Sequence, residues 1–255
     1  GGTDIAILDC VFESRSDGYY DGVADAEVGT SAIYLRDCQG TVIEGNDISN
    51  VSYAIAVKNC TDTEIVDNQI SEVTCDGIRL TGVKDTLIEG NVLSDFYGSV
   101  QSYNHTDMIQ VWSADYNTQV TSGLTIRGNV FDSGSGAATQ TIFIRNEQYG
   151  VTGELYSDIV IEDNVIYNGH PHGVTVFDAT GVEVSNNTLL WNRDATMQGT
   201  LESKARSDAP EIRLIGVEEA TVSGNIAGRI SAPGATLAQN QIIDFHDSGA
   251  ENYVG

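Results

Sequence analysis

Between Tyr103 and Trp112 the chain reads Tyr-Asn-His-Thr-Asp-Met-Ile-Gln-Val-Trp, so Tyr103, His105 and Asp107 fall on alternate positions. A second pair of imidazoles follows in His170-Pro171-His172, and Arg145 stands two residues before Glu147. An imidazole gives or takes a proton near neutral pH. Removing a proton beside a carboxyl group and expelling the neighbouring oxygen needs three things: a group that neutralises the carboxylate, a base and an acid. Arg79, Arg145 or Gln110 suits the first role, His105 or His172 the second, and Tyr103 or Tyr149 the third. Hydrolysis would instead need two carboxylates roughly 5–10 Å apart across the bond, and Asp107, Glu147 and Asp178 are the candidates.

These residues can act together only if the fold gathers them, and an internal repeat shows how. One asparagine recurs in "TVIEGNDISN", "TEIVDNQISE", "TLIEGNVLSD", "LTIRGNVFDS", "IVIEDNVIYN", "VEVSNNTLLW" and "ATVSGNIAGR". The column is Asn46, Asn68, Asn91, Asn129, Asn164, Asn187 and Asn225, with Cys10 at its start and Asn240 at its end. The basic period is 22–23 residues, lengthened in places by 12–16. After each complete Asn segment comes another apolar run, such as "GIRL", "MIQV" or "GVTV". With no helical period, this predicts coils of short strands stacked ~4.8 Å apart. Asparagine suits the column because it tolerates left-handed backbone and its amide can bond to the next coil.

Period-two alternation then assigns side chains to faces. In "DGIRLT", Ile78 and Leu80 point inward while Arg79 and Thr81 point outward. Carried through the stack, the outward columns are Tyr34, Ala56, Arg79, Gln110, Phe143, Thr175, Arg213 and Arg36, Lys58, Thr81, Trp112, Arg145, Phe177, Ile215. His105 shares a position with His170, and Asp107 shares one with Gln140 and His172; His246 stands apart. The extra residues lie at 13–29, 97–106, 133–139 and 192–209, all in the turn leading into this face. They bring Arg15, Arg193, Lys204 and Arg206 over it, and insertions of this length commonly carry function.

Composition narrows the ligand. Thirty-seven acids against twelve Lys and Arg give a net charge of −25 over 255 residues, which excludes nucleic acid and an anionic membrane surface as partners. Gathering scarce cations on one face predicts an anionic ligand. Flat rings stack on sugar faces while forked donors grip carboxylates, so an anionic polysaccharide fits, with Arg79, Gln110, Trp112, Phe143, Glu147, His170, Phe177, Lys204, Arg206 and Arg213 as its contacts. No apolar run approaches the ~18 residues of a membrane span and no basic-then-apolar leader opens the chain. The sequence therefore predicts a soluble protein without membrane insertion. Four cysteines are too few for a disulfide scaffold and lack zinc spacing; Cys38 and Cys60 share a column, as thiols or as a disulfide.

The Asn repeat resembles that of right-handed parallel β-helix proteins, the architecture of pectate lyases, alginate lyases, mannuronan epimerases and many phage spikes, and the resemblance covers nearly the whole chain. It implies an all-β, right-handed parallel β-helix solenoid occupying 1–255 as a single domain, with an Asn ladder and long loops on one edge. "YNHTD" is similar in content to the Tyr, Asp and His constellation of mannuronan epimerases, while departing from their Asp-Pro-His-Glu pattern. Lyases of this architecture use calcium to neutralise charge, for which Asp76, Asp107 and Asp178 offer oxygen ligands. The expected function is a secreted or cell-surface polysaccharide lyase acting on a uronate polymer such as alginate by β-elimination. The alternatives are a non-catalytic polysaccharide-binding spike or adhesin module, a uronate epimerase and a glycoside hydrolase.

Overall fold

The structure is a computed structural model that describes residues 1–13, 31–97, 106–113, 119–195, 208–252 and 254. Its strands form three parallel sheets, of nine, nine and eight strands, each sheet taking every third strand of the chain. The first runs from Thr3–Leu8 to Thr236–Ala238, the second from Val11–Glu13 to Gln241–Ile242, and the third from Ser31–Arg36 to Arg229–Ser231. One circuit visits the three sheets in turn and then repeats one strand spacing further along the axis. This is the all-β solenoid expected from the repeat.

Identical inward positions stack to form the core. In the first sheet Ile43, Ile65, Ile88, Ile126 and Ile161 are aligned in successive coils and all are fully buried. In the third, Ile55, Ile78, Ile109 and Ile142 form one buried row and Val57, Leu80, Val111 and Ile144 another. Burying each such side chain contributes ~1.5–3 kcal/mol.

The corner between the first and second sheets is closed by the asparagines. Each side-chain amide from Asn46 to Asn225 donates to the Oδ1 of the next Asn at 2.9–3.0 Å, ending on Asn240. That same Oδ1 also accepts the preceding residue's backbone N–H at 2.9–3.0 Å, a series that starts at Cys10. A lighter version closes the corner between the third and first sheets, where the Cys38 N–H donates to Cys60 Sγ at 3.2 Å and the Val83 N–H to Thr121 Oγ1 at 3.3 Å. All four cysteines are free thiols, which decides the Cys38–Cys60 question, and burial pushes the Cys60 thiol up to about 11.

Left-handed backbone positions also take up part of the acid. Among the described residues sixteen non-glycine residues have positive φ, and twelve of them are Asp or Glu, half between strands and half within strands. The short Asp side chain tolerates this conformation and folds over the coil that follows, which then needs glycine there. A Cβ on Gly90 (φ +67) would lie 2.3 Å from Asp67 Oδ1, whereas one on Gly128 (φ +63) meets nothing within 4 Å.

The extra residues are not confined to one turn. Besides the insertions that lead into the third sheet, the chain adds a segment after it. Between the strands Gln140–Arg145 and Tyr156–Glu162 lies a bulge with a one-turn helix, Tyr149–Thr152. Buried Asn146 pins it, donating to the Glu154 carbonyl at 2.6 Å and accepting from the Ser113 hydroxyl at 3.2 Å. Long segments therefore flank both edges of the third sheet, because counting residues from Asn to Asn cannot say which corner holds the surplus.

Gly90→Ala and Gly128→Ala both place an L residue at positive φ, at ~1–2 kcal/mol each, but only Gly90→Ala must also turn a carboxylate aside, adding ~0.5–1.5 kcal/mol. Urea unfolding is expected to show that gap, and Asp67→Gly in the Gly90→Ala background is expected to close it.

Candidate functional site

The third sheet's outer face carries the residues read from the sequence, in the same register. Tyr34, Ala56, Arg79, Gln110, Phe143, Thr175 and Arg213 are paired coil to coil, as are Arg36, Lys58, Thr81, Trp112, Arg145, Phe177 and Ile215. A third outward position begins each strand. It holds the aligned pair Asp107 and Gln140, then the aligned run His172, Glu211 and Arg229. Tyr53 and Asp76 stand at the same position in earlier coils.

At the centre, Arg79 is held between two rings, with its guanidinium 4.4 Å from the Trp112 centroid and 5.3 Å from that of Tyr53. Its Nε lies 3.7 Å from a carboxylate oxygen of buried Asp76. Burial, with the Cys75 and Asp76 charges adding and Arg79 opposing, pushes the Tyr53 phenol up to about 12, so it stays neutral. Arg79 is thus partly covered, with a carboxylate of its own sheet beside its charge. Asp107 is fully buried and its Oδ2 accepts the Gln110 side-chain N–H at 2.8 Å. In this structure Asp107 is covered from solvent and orients Gln110.

One coil further on, the geometry opens. Phe143 packs its ring edge-on to His172 at 5.4 Å and tilted against Phe177 at 5.7 Å. The exposed Arg145 guanidinium sits 5.4 Å from the Phe177 centroid, and among the described residues no carboxylate lies within ion-pair reach of it. Glu147 is exposed just past the strand and does not pair with Arg145. His172 shares a 2.9 Å hydrogen bond between Nδ1 and the Thr175 hydroxyl, and its ring stacks on His170 at 5.3 Å. His170 Nδ1 accepts the His172 backbone N–H at 3.1 Å, so the His-Pro-His segment is a turn that presents both rings. Beyond Phe177, burial raises the Asp178 pKa and the Arg145 charge works against it.

At the far end Arg213 faces Glu211 at 4.0 Å, and Arg229 approaches the same carboxylate at 3.6 Å. Arg193, expected over this face, instead stacks on Trp191 at 4.3 Å. Tyr103, His105, Lys204 and Arg206 lie outside the described residues. The face is therefore less cationic than two columns suggested, since the third supplies Asp76, Asp107 and Glu211. The signal for that column was present: the same alternation, read one step earlier along each strand.

Asp76, Asp107 and Asp178 do not fit a calcium ion. Asp76 Oδ1 accepts the Asp107 N–H at 3.2 Å, its Oδ2 faces Arg79, Asp107 Oδ2 accepts from Gln110, and Asp178 lies at the opposite end of the strands. Among the described residues no three His, Cys, Asp or Glu side chains gather into a metal site.

If Arg79 is internal and Arg145 faces the ligand, the two should respond oppositely. Arg79→Lys is expected to lower stability by ~1–2 kcal/mol through the lost stacking and leave retention on an acidic polysaccharide gel within about twofold. Arg145→Ala is expected to leave unfolding unchanged and abolish most of the retardation.

Comparison with known proteins agrees with this architecture. Residues 26–203 match the family model described as "Right handed beta helix region". None of the curated proteins matches the chain. Two structures of PfbA, a surface adhesin of Streptococcus pneumoniae, are 16% and 14% identical with TM-scores of 0.50, over 81% and 96% of this chain. The chain spans 43% and 66% of those two chains. The Azotobacter vinelandii mannuronan C-5 epimerase AlgE4 A-module is 14% identical over 100% of this chain and 79% of its own, with a TM-score of 0.42. An alginate lyase from Paenibacillus sp. str. FPU-7 is 14% identical over 91% and 79%, with a TM-score of 0.37. At these identities the likeness is one of fold.

Proposed function

This chain belongs to the right-handed β-helix family, and we propose that it is a secreted or cell-surface enzyme that cleaves a uronate-containing polysaccharide on the outer face of its third sheet. The observation that carries the reading is the linked group of Arg145, Phe177, Phe143 and His172, in which an exposed cation and an imidazole flank two aromatic rings. The rings offer a stacking floor for a sugar. Arg145 neutralises the uronate carboxylate, which acidifies the proton on the adjacent carbon.

In the proposed reaction His172, oriented by Thr175, takes that proton. The electron pair left behind forms the new carbon–carbon double bond as the glycosidic carbon–oxygen bond breaks. The leaving oxygen takes up a proton, a role for which the sequence offers Tyr103 or Tyr149.

Incubation with alginate, pectate and glycosaminoglycans is expected to raise the ultraviolet absorbance of an unsaturated uronate on at least one of them. Arg145→Ala is expected to lower kcat/KM ~10–100-fold, the weight of a charge-assisted contact. His172→Ala is expected to lower kcat ~10²–10⁴-fold with KM little changed. The absence of any absorbance rise across the panel would overturn cleavage. Retention with unchanged chain length would support a binding module instead, a reading that the burial of Asp107 and the internal pairing of Arg79 favour.

A further inference from the structure

We propose that the cavity at the C-terminal end of the third sheet is a second carbohydrate site, which takes one neutral sugar ring. Its volume is about 260 Å³, just under the ~300 Å³ at which pockets for larger ligands begin, which suits a single ring. It opens beside Glu211 and Arg229, which continue the outward position of His172.

The walls are held by packing. The segment after Gln241–Ile242 folds back across the last coil, with the Asp244 N–H donating to the Asn252 carbonyl at 3.0 Å and Asn252 Nδ2 to the Ile242 carbonyl at 2.7 Å. Phe245 is buried against Ala209 and Ile243. Its carbonyl accepts from Arg193, and Arg193 is itself stacked on Trp191. His246, which nothing in the repeat pattern explained, lies 5.0 Å from the Trp191 ring and 3.2 Å from an Asp208 carboxylate oxygen.

The chemistry of the lining selects the ligand. Exposed Ile242, backed by buried Ala209, Ile243 and Phe245, gives an apolar wall, while Asp208 with His246 and Glu211 with Arg229 each set an acceptor beside a donor at the rim. A sugar presents an apolar ring face and an edge of hydroxyls that both donate and accept, which matches this pattern. Asp244 accepts the His246 and Asp247 backbone N–H groups at 2.8 and 2.9 Å, and these bonds hold its pKa down. Three carboxylates against one guanidinium and one imidazole leave the cavity electronegative, so an acidic sugar is repelled. The proposed trench around Arg145 has the opposite preference, and the two sites fail or stand separately.

Saturation-transfer NMR with the methyl glycosides of glucose, galactose and mannose, and with methyl glucuronide as the charged control, tests the proposal. At least one neutral glycoside is expected to bind with Kd of ~1–10 mM, as suits a single small ligand. Asp208→Ala and Arg229→Ala, both on exposed rim positions, are expected to weaken it at least ~5-fold with the unfolding midpoint unchanged, and the glucuronide to bind at least ~5-fold more weakly than the best neutral sugar. Saturation by none of the three at ~50 mM, far above that range, or binding unmoved by both variants, or preference for the glucuronide, would each overturn it. Retention on uronate polymers, governed by Arg145, is expected to be unaffected by Asp208→Ala.

Discussion

Everything on the outer faces depends on successive coils standing in strict register, and the buried asparagine ladder is what holds them there. A sheet with one buried face already resists a one-residue slip, because the slip would turn every apolar side chain outward. The ladder adds a second constraint. Each Asn amide reaches the next Oδ1 while its other N–H meets a carbonyl of the preceding coil, such as Asn91 Nδ2 to Ile65 O at 2.8 Å. A shifted coil would leave these buried donors and acceptors unsatisfied, at ~1–3 kcal/mol apiece. The ladder thus fixes rotation about the axis as well as spacing along it, and residues 30 or more apart in sequence become neighbours.

That constraint makes one usable surface from single residues on different coils. Arg145, Phe177, Phe143 and His172 come from only two adjacent strands, yet they carry the charge, stacking and proton-transfer capacity the proposed reaction needs. The neighbouring coil shows a different use of similar residues: Arg79 lies over the Trp112 ring with its Nε 3.7 Å from Asp76, and Asp107 accepts from Gln110. The two cations differ in exposure and partner, since Arg79 is partly buried beside Asp76 and Arg145 is open to solvent. A cation in an outward column is a candidate contact only when no acid in the adjoining column has already claimed it.

Much of this was legible in the sequence because the fold is periodic. The recurrent Asn and the alternation in "GIRL" and "MIQV" determine which side chains share a column, and the structure pairs those columns in the expected order. What periodicity cannot express is how neighbouring columns satisfy one another. The Arg79–Asp76 contact joins a strand residue to one just before that strand, three apart in sequence, and the closing role of Arg193 depends on a C-terminal segment outside the repeat. His246 was unreadable for the same reason. The acidity was legible as a number but not as a cause: among the described residues twelve of the acids hold left-handed backbone positions.

The most direct test of the account is a crystal structure of the His172→Ala variant with a uronate oligosaccharide. The account predicts the oligosaccharide on the third sheet, a carboxylate on the Arg145 guanidinium and a ring over Phe143 and Phe177. Density on the first or second sheet, or a ligand that leaves Arg145 untouched, would contradict it.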